Sequence, residues 1–331
     1  MNLRKIKYIL AGLFAASLMG ACKKDEIGYM SDNLYYELNP VVIPKGWEYR
    51  GIGVNPDGST RPLNFKLVHV YDKATGKNMD ELFLKRYPMV TWKAALNFTL
   101  DSTKEKILSK MQMVDAYPVN IEPTSGQIYT NYTTDNLPSG HYVFDLEISN
   151  VKRTKLYPRF GEFILKDTVA FQDLKAMNGA YSNPLMKQGQ ESVTKGQGAE
   201  SYSIDIKREV SDEFNITLYF LDKHGTPFNP KRGEVLKRPS GSTFLQTFET
   251  YTVKPDMFDD KLVYPVFQSP FPFVSAGNGF NVYYRIAADA CIYDDPAYNG
   301  YHSNPRFIQR FWKRGKYTVT IQLKNVTRKP L

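Results

Sequence analysis

Cysteine is nearly missing from this chain, with only Cys22 and Cys291 in 331 residues. No disulfide framework can therefore hold the fold, which must rest on buried apolar cores. Histidine is scarce too: His69, His141, His224 and His302 stand far apart, without the paired spacing of metal or protease motifs. Neither a G-x-S-x-G elbow nor a P-loop occurs, and Gly51-Ile52-Gly53 runs into Asn55-Pro56 instead of a third glycine and a helix. EF-hand spacing is absent. The paired acids Asp259-Asp260 and Asp294-Asp295 read as turns, since neighbours on a strand point to opposite faces and Asp295 precedes Pro296. With these motifs missing, an enzyme is the least favoured reading, and no catalytic residue, metal or cofactor is expected. Lys and Arg outnumber Asp and Glu to give +9, but they are scattered among acids with no basic stripe, which is no nucleic-acid footprint. Beyond the first residues, no apolar run is long enough to cross a bilayer.

What is present begins at the N-terminus. Arg4, Lys5 and Lys7 precede the apolar stretch from Tyr8 to Met19, the pattern of a signal peptide over residues 1–21. Its removal lowers the net charge to +6. Leu18-Met19-Gly20-Ala21-Cys22 resembles the bacterial lipobox, with Met19 where Leu or Val is usual. That resemblance implies that Cys22 becomes the acylated first residue and fixes the protein to a membrane through a lipid anchor. Cys291, then without a partner, is expected as a small buried hydrophobe. The charged run Lys23-Lys24-Asp25-Glu26 resembles the export signal of Bacteroidota surface lipoproteins, implying the outer membrane and its cell-surface face, with the periplasmic face as the alternative.

The rest of the chain reads as all-β. Gly140-His141-Tyr142-Val143-Phe144-Asp145-Leu146-Glu147-Ile148 is echoed by Gly315-Lys316-Tyr317-Thr318-Val319-Thr320-Ile321-Gln322-Leu323, each with a large apolar residue at alternate positions, the period of a half-buried strand. A weaker echo pairs Val70-Tyr71-Asp72-Lys73 with Phe220-Leu221-Asp222-Lys223. Strands are also predicted at Tyr202–Lys207 and Phe214–Phe220. Leu137-Pro138-Ser139-Gly140-His141-Tyr142 resembles the approach to strand F of immunoglobulin-like and fibronectin-like sandwiches, where a tyrosine corner ties the loop to the sheet; Tyr142 and Tyr317 are its candidates. The expectation is two tandem β-sandwich domains of that kind, with a tether over 22–35, domain 1 over 36–170 and domain 2 over 171–331. One short helix is predicted from Ser102 to Gln112, and a mobile loop from Gly189 to Glu200. The second domain ends too early for the usual last strand, so its strand order is expected to differ.

Aromatic residues are abundant, at 14% of the chain. Most must fill cores, and Trp47 and Trp92 are expected as buried anchors. Those beside Pro, Gly and Asn are candidates for exposed rings: Phe267, Phe271 and Phe273, then Tyr298, Tyr301, Phe311 and Trp312. An exposed ring can stack on the apolar C–H face of a sugar while Asn299, Asn304 and Arg306 satisfy its hydroxyls. With the continuation Ile27-Gly28-Tyr29-Met30-Ser31-Asp32-Asn33, the chain resembles an uncharacterised family of Bacteroidota lipoproteins encoded near SusC-like transporters and SusD-like binding lipoproteins. The resemblance implies a non-catalytic accessory role in capturing oligosaccharides or other nutrients beside such a pair. The alternative is a structural or adhesive lipoprotein. A shallow groove with exposed rings favours the first, and a broad apolar patch or an unpaired edge strand favours the second.

Overall fold

A computed structural model describes residues 28–330, apart from 98, 176–180, 212, 241–242, 252 and 266–278. The fold is all-β. Its first nine strands are β1 (Val41–Pro44), β2 (Tyr49–Arg50), β3 (Asn64–Asp72), β4 (Tyr87–Trp92), β5 (Met111–Ala116), β6 (Val119–Ile121), β7 (Ile128–Thr130), β8 (Gly140–Ser149) and β9 (Thr154–Lys166). One sheet has the order β1-β9-β8-β3, with β1 parallel to β9 and the other pairs antiparallel; a second has the order β2-β7-β6. Val41 and Ile43, Phe65 and Val70, Val119, Ile121 and Ile128 meet the inward residues of β8 and β9 in one core. The β4–β5 hairpin stands apart from both sheets.

The second half continues with β10 (Phe171–Asp173), β11 (Asn183–Lys187), β12 (Gln190–Gln197), β13 (Tyr202–Glu209) and β14 (Phe214–Leu221). Short strands β15 (Val235–Lys237), β16 (Pro239–Ser240), β17 (Thr243–Phe244), β18 (Asp256–Met257) and β19 (Leu262–Pro265) follow. The chain closes with β20 (Phe280–Ile286), β21 (Cys291–Tyr293), β22 (Tyr301–Ser303), β23 (Arg306–Phe311), β24 (Gly315–Leu323) and β25 (Val326–Arg328). A sheet of order β13-β24-β14-β19-β18 packs on another of order β10-β23-β20-β22-β11-β12 around a second core, which runs from Leu174 to Val326 and includes Cys291.

Both long echoes are strands, β8 and β24. Tyr142, Phe144, Leu146 and Ile148, like Tyr317, Val319, Ile321 and Leu323, are at most 1% exposed. Burial of each such side chain contributes roughly 1.5–3 kcal/mol. The tyrosine corners form as well: Tyr142 Oη donates to the carbonyl of Pro138 at 2.9 Å, and Tyr317 Oη lies 2.6 Å from that of Lys313. The glycine two residues earlier has a reason in each case. A Cβ on Gly140 would sit 3.0 Å from the Tyr142 hydroxyl, and one on Gly315, at φ +148°, would sit 2.5 Å from the Glu209 carbonyl. The weaker echo is a shared turn cap. Asp72 accepts from Thr75 N and Oγ1, and Asp222 from His224 N and Thr226 N. The halves nevertheless differ in topology, because β3 runs antiparallel to β8 whereas β14 runs parallel to β24.

Three expectations need correction. The predicted helix is only Lys104–Leu108 (α2), capped by Thr103, since from Met111 onward the chain pairs with β4; a second short helix, Asp80–Phe83 (α1), precedes it. The predicted mobile loop is largely β12, an edge strand whose side chains are mostly exposed on both faces, so no alternation marks it in sequence. The packed chain also begins before residue 36, for Met30, Ser31 and Leu34 are each at most 6% exposed.

The halves meet at a corner around Trp47 and Asp135, and again where α2 and the β4–β5 hairpin face β14 and β19. Trp47 stacks on Trp312 with ring centres 4.7 Å apart and planes within 8°. The Asp135 carboxylate accepts from Lys313 Nζ at 2.7 Å and lies 3.4 Å from Arg208 Nη2. The Ala170 carbonyl accepts from Trp312 N and lies 2.9 Å from Tyr317 Oη.

Candidate functional site

A groove of about 630 Å³ lies between the β2-β7-β6 sheet and the β4–β5 hairpin. Cross-strand register builds its floor: Arg50 opposes Tyr129, and Tyr129 opposes Asn120, so the three side chains project from the same face. Their neighbours Thr130 and Val119 project the other way and are buried. Thus the alternation that fills the core leaves a row of arginine, tyrosine and asparagine facing the groove. Arg86, Asp115 and Tyr117 add the opposite wall from the hairpin and the link that follows it, and Tyr49 and Asn131 complete the lining.

Two guanidinium groups lie near ring faces, Arg50 5.8 Å from the centre of Tyr129 and Arg86 4.9 Å from that of Tyr117. The Tyr117 backbone is pinned because its carbonyl accepts from Asn120 Nδ2 at 2.8 Å and Asn131 Nδ2 at 2.9 Å. Asn131 also caps the 3-10 turn Tyr132–Asn136 through Thr133 N. Burial pushes the Tyr49 hydroxyl above its ordinary pKa, so it remains a neutral donor and acceptor. The groove thus combines half-exposed ring faces with amide, guanidinium and carboxylate groups, within the roughly 300–1,000 Å³ of small-ligand sites. It can bind an amphipathic, hydroxyl-rich ligand.

Of the residues singled out in sequence, those described lie away from this groove, and Tyr298 and Tyr301 come together around Lys195. Cys22, the signal peptide, Phe267, Phe271 and Phe273 fall outside the described residues. Tyr301 and Phe311 are core residues, 8% and 0% exposed, because β22 and β23 turn their rings inward. Tyr298 is half-buried, and Lys195 Nζ lies 4.8 Å from its ring centre and 5.1 Å from that of Tyr301. One face of Trp312 is covered by Trp47, while Arg310 lies 5.8 Å from its ring centre. Trp47 and Trp92 are half-buried, so neither is a fully buried anchor.

The polar candidates are committed to the fold. Asn299 accepts from Tyr293 N, and Arg306 Nε donates to Asn281 Oδ1 while its guanidinium lies 5.3 Å from the Tyr283 ring centre. Asn304 is fully buried, accepting from Arg285 Nε and donating to the Pro184 carbonyl. Asp295 caps a turn and Asp294 pairs with Lys223. Among the described residues, no group of three or more His, Cys, Asp and Glu could hold a metal ion. The groove residues carried only a weak signal, Glu48-Tyr49-Arg50 and Tyr117-Pro118, in which aromatics adjoin charge or proline. Their convergence depends on strand register.

No protein-family model matches the chain, and no curated protein matches it. Among solved structures it is similar to a SusE-like, surface-located polysaccharide-binding protein from the heparin utilisation locus of Bacteroides thetaiotaomicron, with 8% identity and a TM-score of 0.26. The match covers 88% of this chain and 53% of the other, so the chain spans about half the length of that structure. A likeness at that score establishes neither family nor ligand.

Proposed function

We propose that the protein is a non-catalytic lipoprotein of the bacterial outer-membrane surface, anchored through Cys22, that captures glycans beside a SusC/SusD-like transporter. The observation that carries the binding role is the groove of Tyr49, Tyr117 and Tyr129 with Arg50, Arg86, Asp115 and Asn120. A pyranose laid on a tyrosine face buries its C–H surface, while the amide and charged groups replace water at its hydroxyls. The lipobox at Cys22 and the charged run after it support the location. Phe271, Phe273, Tyr298, Tyr301, Trp312, Asn299 and Arg306 make a weaker second candidate, since Tyr301 is buried, one face of Trp312 is covered by Trp47, and Asn299 and Arg306 are bonded within the fold.

A panel of neutral and acidic oligosaccharides tests the binding role, read by titration calorimetry on the wild type and on Tyr117→Ala, Tyr129→Ala and Trp312→Ala. The groove predicts that loss of either tyrosine weakens binding about 5- to 100-fold, equivalent to roughly 1–3 kcal/mol, and that Trp312→Ala does not. Binding unaffected by both tyrosine changes removes the groove from consideration, and no binding across the panel removes the role.

Two observations favour adhesion as the second reading. Among the described residues β12 pairs on one side only, leaving an edge. Leu236, Phe244 and Met257, each over 40% exposed, line an apolar pocket of about 430 Å³.

A further inference from the structure

We propose that the β8–β9 turn is a membrane-contact tip, seated on the phosphate-bearing headgroup layer in which the lipid anchor is held. The inference rests on the anchoring of Cys22 and adds a second, non-covalent contact to it. Only residues 23–27 separate Cys22 from Gly28. At full extension they span about 20 Å, so the surface where the chain emerges must stay that close to the membrane.

That surface has the composition of an interfacial contact. A Cβ on Gly28 would come within 2.6 Å of Lys152 Cβ, so the emerging chain and the turn touch. Asn150 joins them: its Nδ2 donates to the Tyr29 carbonyl at 3.0 Å, while its Oδ1 accepts from Lys152 N and Arg153 N, each at 3.0 Å. The tip is therefore preorganised and fixed to the exit point. It presents Val151 at 62% exposure and Tyr29 at 42%, flanked by Lys152, Arg153 and Lys155. Asp32 pairs with Lys155, Asp57 accepts from Ser31 Oγ, and the link to Cys22 carries Asp25 and Glu26 beside Lys23 and Lys24, so these acids offset part of the positive charge. An apolar tip and a tyrosine amid basic side chains suit the boundary between acyl chains and anionic phosphates.

The test uses full-length, lipid-bearing protein carrying a fluorophore at Val151→Cys or, as control, at Val210→Cys, which is 77% exposed and lies after β13 beside the corner where the halves meet. The native Cys291 is buried and should not label. The protein is reconstituted on phosphatidylcholine vesicles with or without phosphatidylglycerol, and quenching by headgroup-level spin-labelled lipid is measured. The expected result is quenching at Val151 and not at Val210, stronger with phosphatidylglycerol. It should diminish when the screening length falls from about 10 Å at 0.1 M salt to about 3 Å at 1 M. Lys152→Glu and Arg153→Glu should each lower the docked-to-undocked ratio at least about fivefold. Equal quenching at both positions in protein that co-sediments with vesicles overturns the contact and leaves the anchor standing. Mature protein recovered from its native membrane with Cys22 unacylated by mass spectrometry overturns the anchor, and the contact with it.

Discussion

Replacing Asp135 with alanine removes the carboxylate that Lys313 Nζ reaches at 2.7 Å and Arg208 Nη2 at 3.4 Å. The two cations are unequally dependent on it. Arg208 also donates through Nε and Nη2 to the Arg314 carbonyl, so it keeps a partner, whereas the Lys313 side chain is only 10% exposed and would be left without its carboxylate. Breaking a fully buried pair costs about 3–5 kcal/mol. The Asp135 side chain is 25% exposed, so water screens part of the interaction and about 2 kcal/mol is the expected loss. Urea unfolding of Asp135→Ala should show this as a lower midpoint. In a double-mutant cycle with Lys313→Met, which removes the stranded charge, the coupling should reach about 1.5 kcal/mol. Coupling below about 0.5 kcal/mol would refute the reasoning and make the pair incidental to the junction.

Further expectations concern the tyrosine corners and one histidine. Tyr142→Phe preserves the ring in the core and deletes the bond to Pro138, so urea unfolding should report a loss of about 1 kcal/mol. Tyr317→Phe should cost a similar amount, because its single O–H donates to either the Lys313 or the Ala170 carbonyl and not to both at full strength. His302 is held neutral: burial, then the nearby Arg285 cation, lowers its pKa below 6.5, and its Nδ1 accepts from Ala288 N. The unfolded chain therefore takes up this proton first as pH falls. The associated stability is present above pH 6.5 and declines below it until the folded-state pKa is passed. His302→Asn, whose Oδ1 can replace Nδ1 as acceptor, should flatten that part of the stability–pH curve; an unchanged curve assigns the dependence to other groups.

Strands in this chain were legible where one face is buried and the other wet. β14 and β24 alternate buried with partly exposed residues, whereas β8 also buries Val143 and Asp145 on its other face, and the G-x-Y signature at the start of β8 and β24 reflects close contacts at Gly140 and Gly315. Local signals failed where pairing partners decide the outcome. Met111 continues a helical pattern in sequence, yet its place opposite Trp92 makes it a strand residue. Gln190–Gln197 has no apolar face to reveal it. Several of the ring candidates point inward for a related reason. Aromatics next to proline or glycine in the second half looked exposed, but Tyr301 and Phe311 point into the core. Sequence adjacency cannot distinguish a ring plugging a sandwich from one facing solvent. Conversely, Arg50, Asn120 and Tyr129 are neighbours only through the register of three strands.

The placement of the groove relative to the exit point bears on how a tethered protein could capture ligand. β8 starts just after the 3-10 turn that follows groove residue Asn131, and it ends at the Asn150 turn that touches Gly28. Its ten residues, at about 3.4 Å each, separate those ends by roughly 30 Å. With the Asn150 turn on the membrane, the Asn131 end would face away from it, clear of the headgroups by several screening lengths at physiological salt. Glycan affinity should consequently be the same, within about twofold, for protein on vesicles and for protein in detergent. Calorimetry on the two preparations provides the measurement. A loss of tenfold or more on vesicles, equivalent to about 1.4 kcal/mol, would mean that the membrane obstructs the groove, and this orientation of the first sandwich would have to be abandoned.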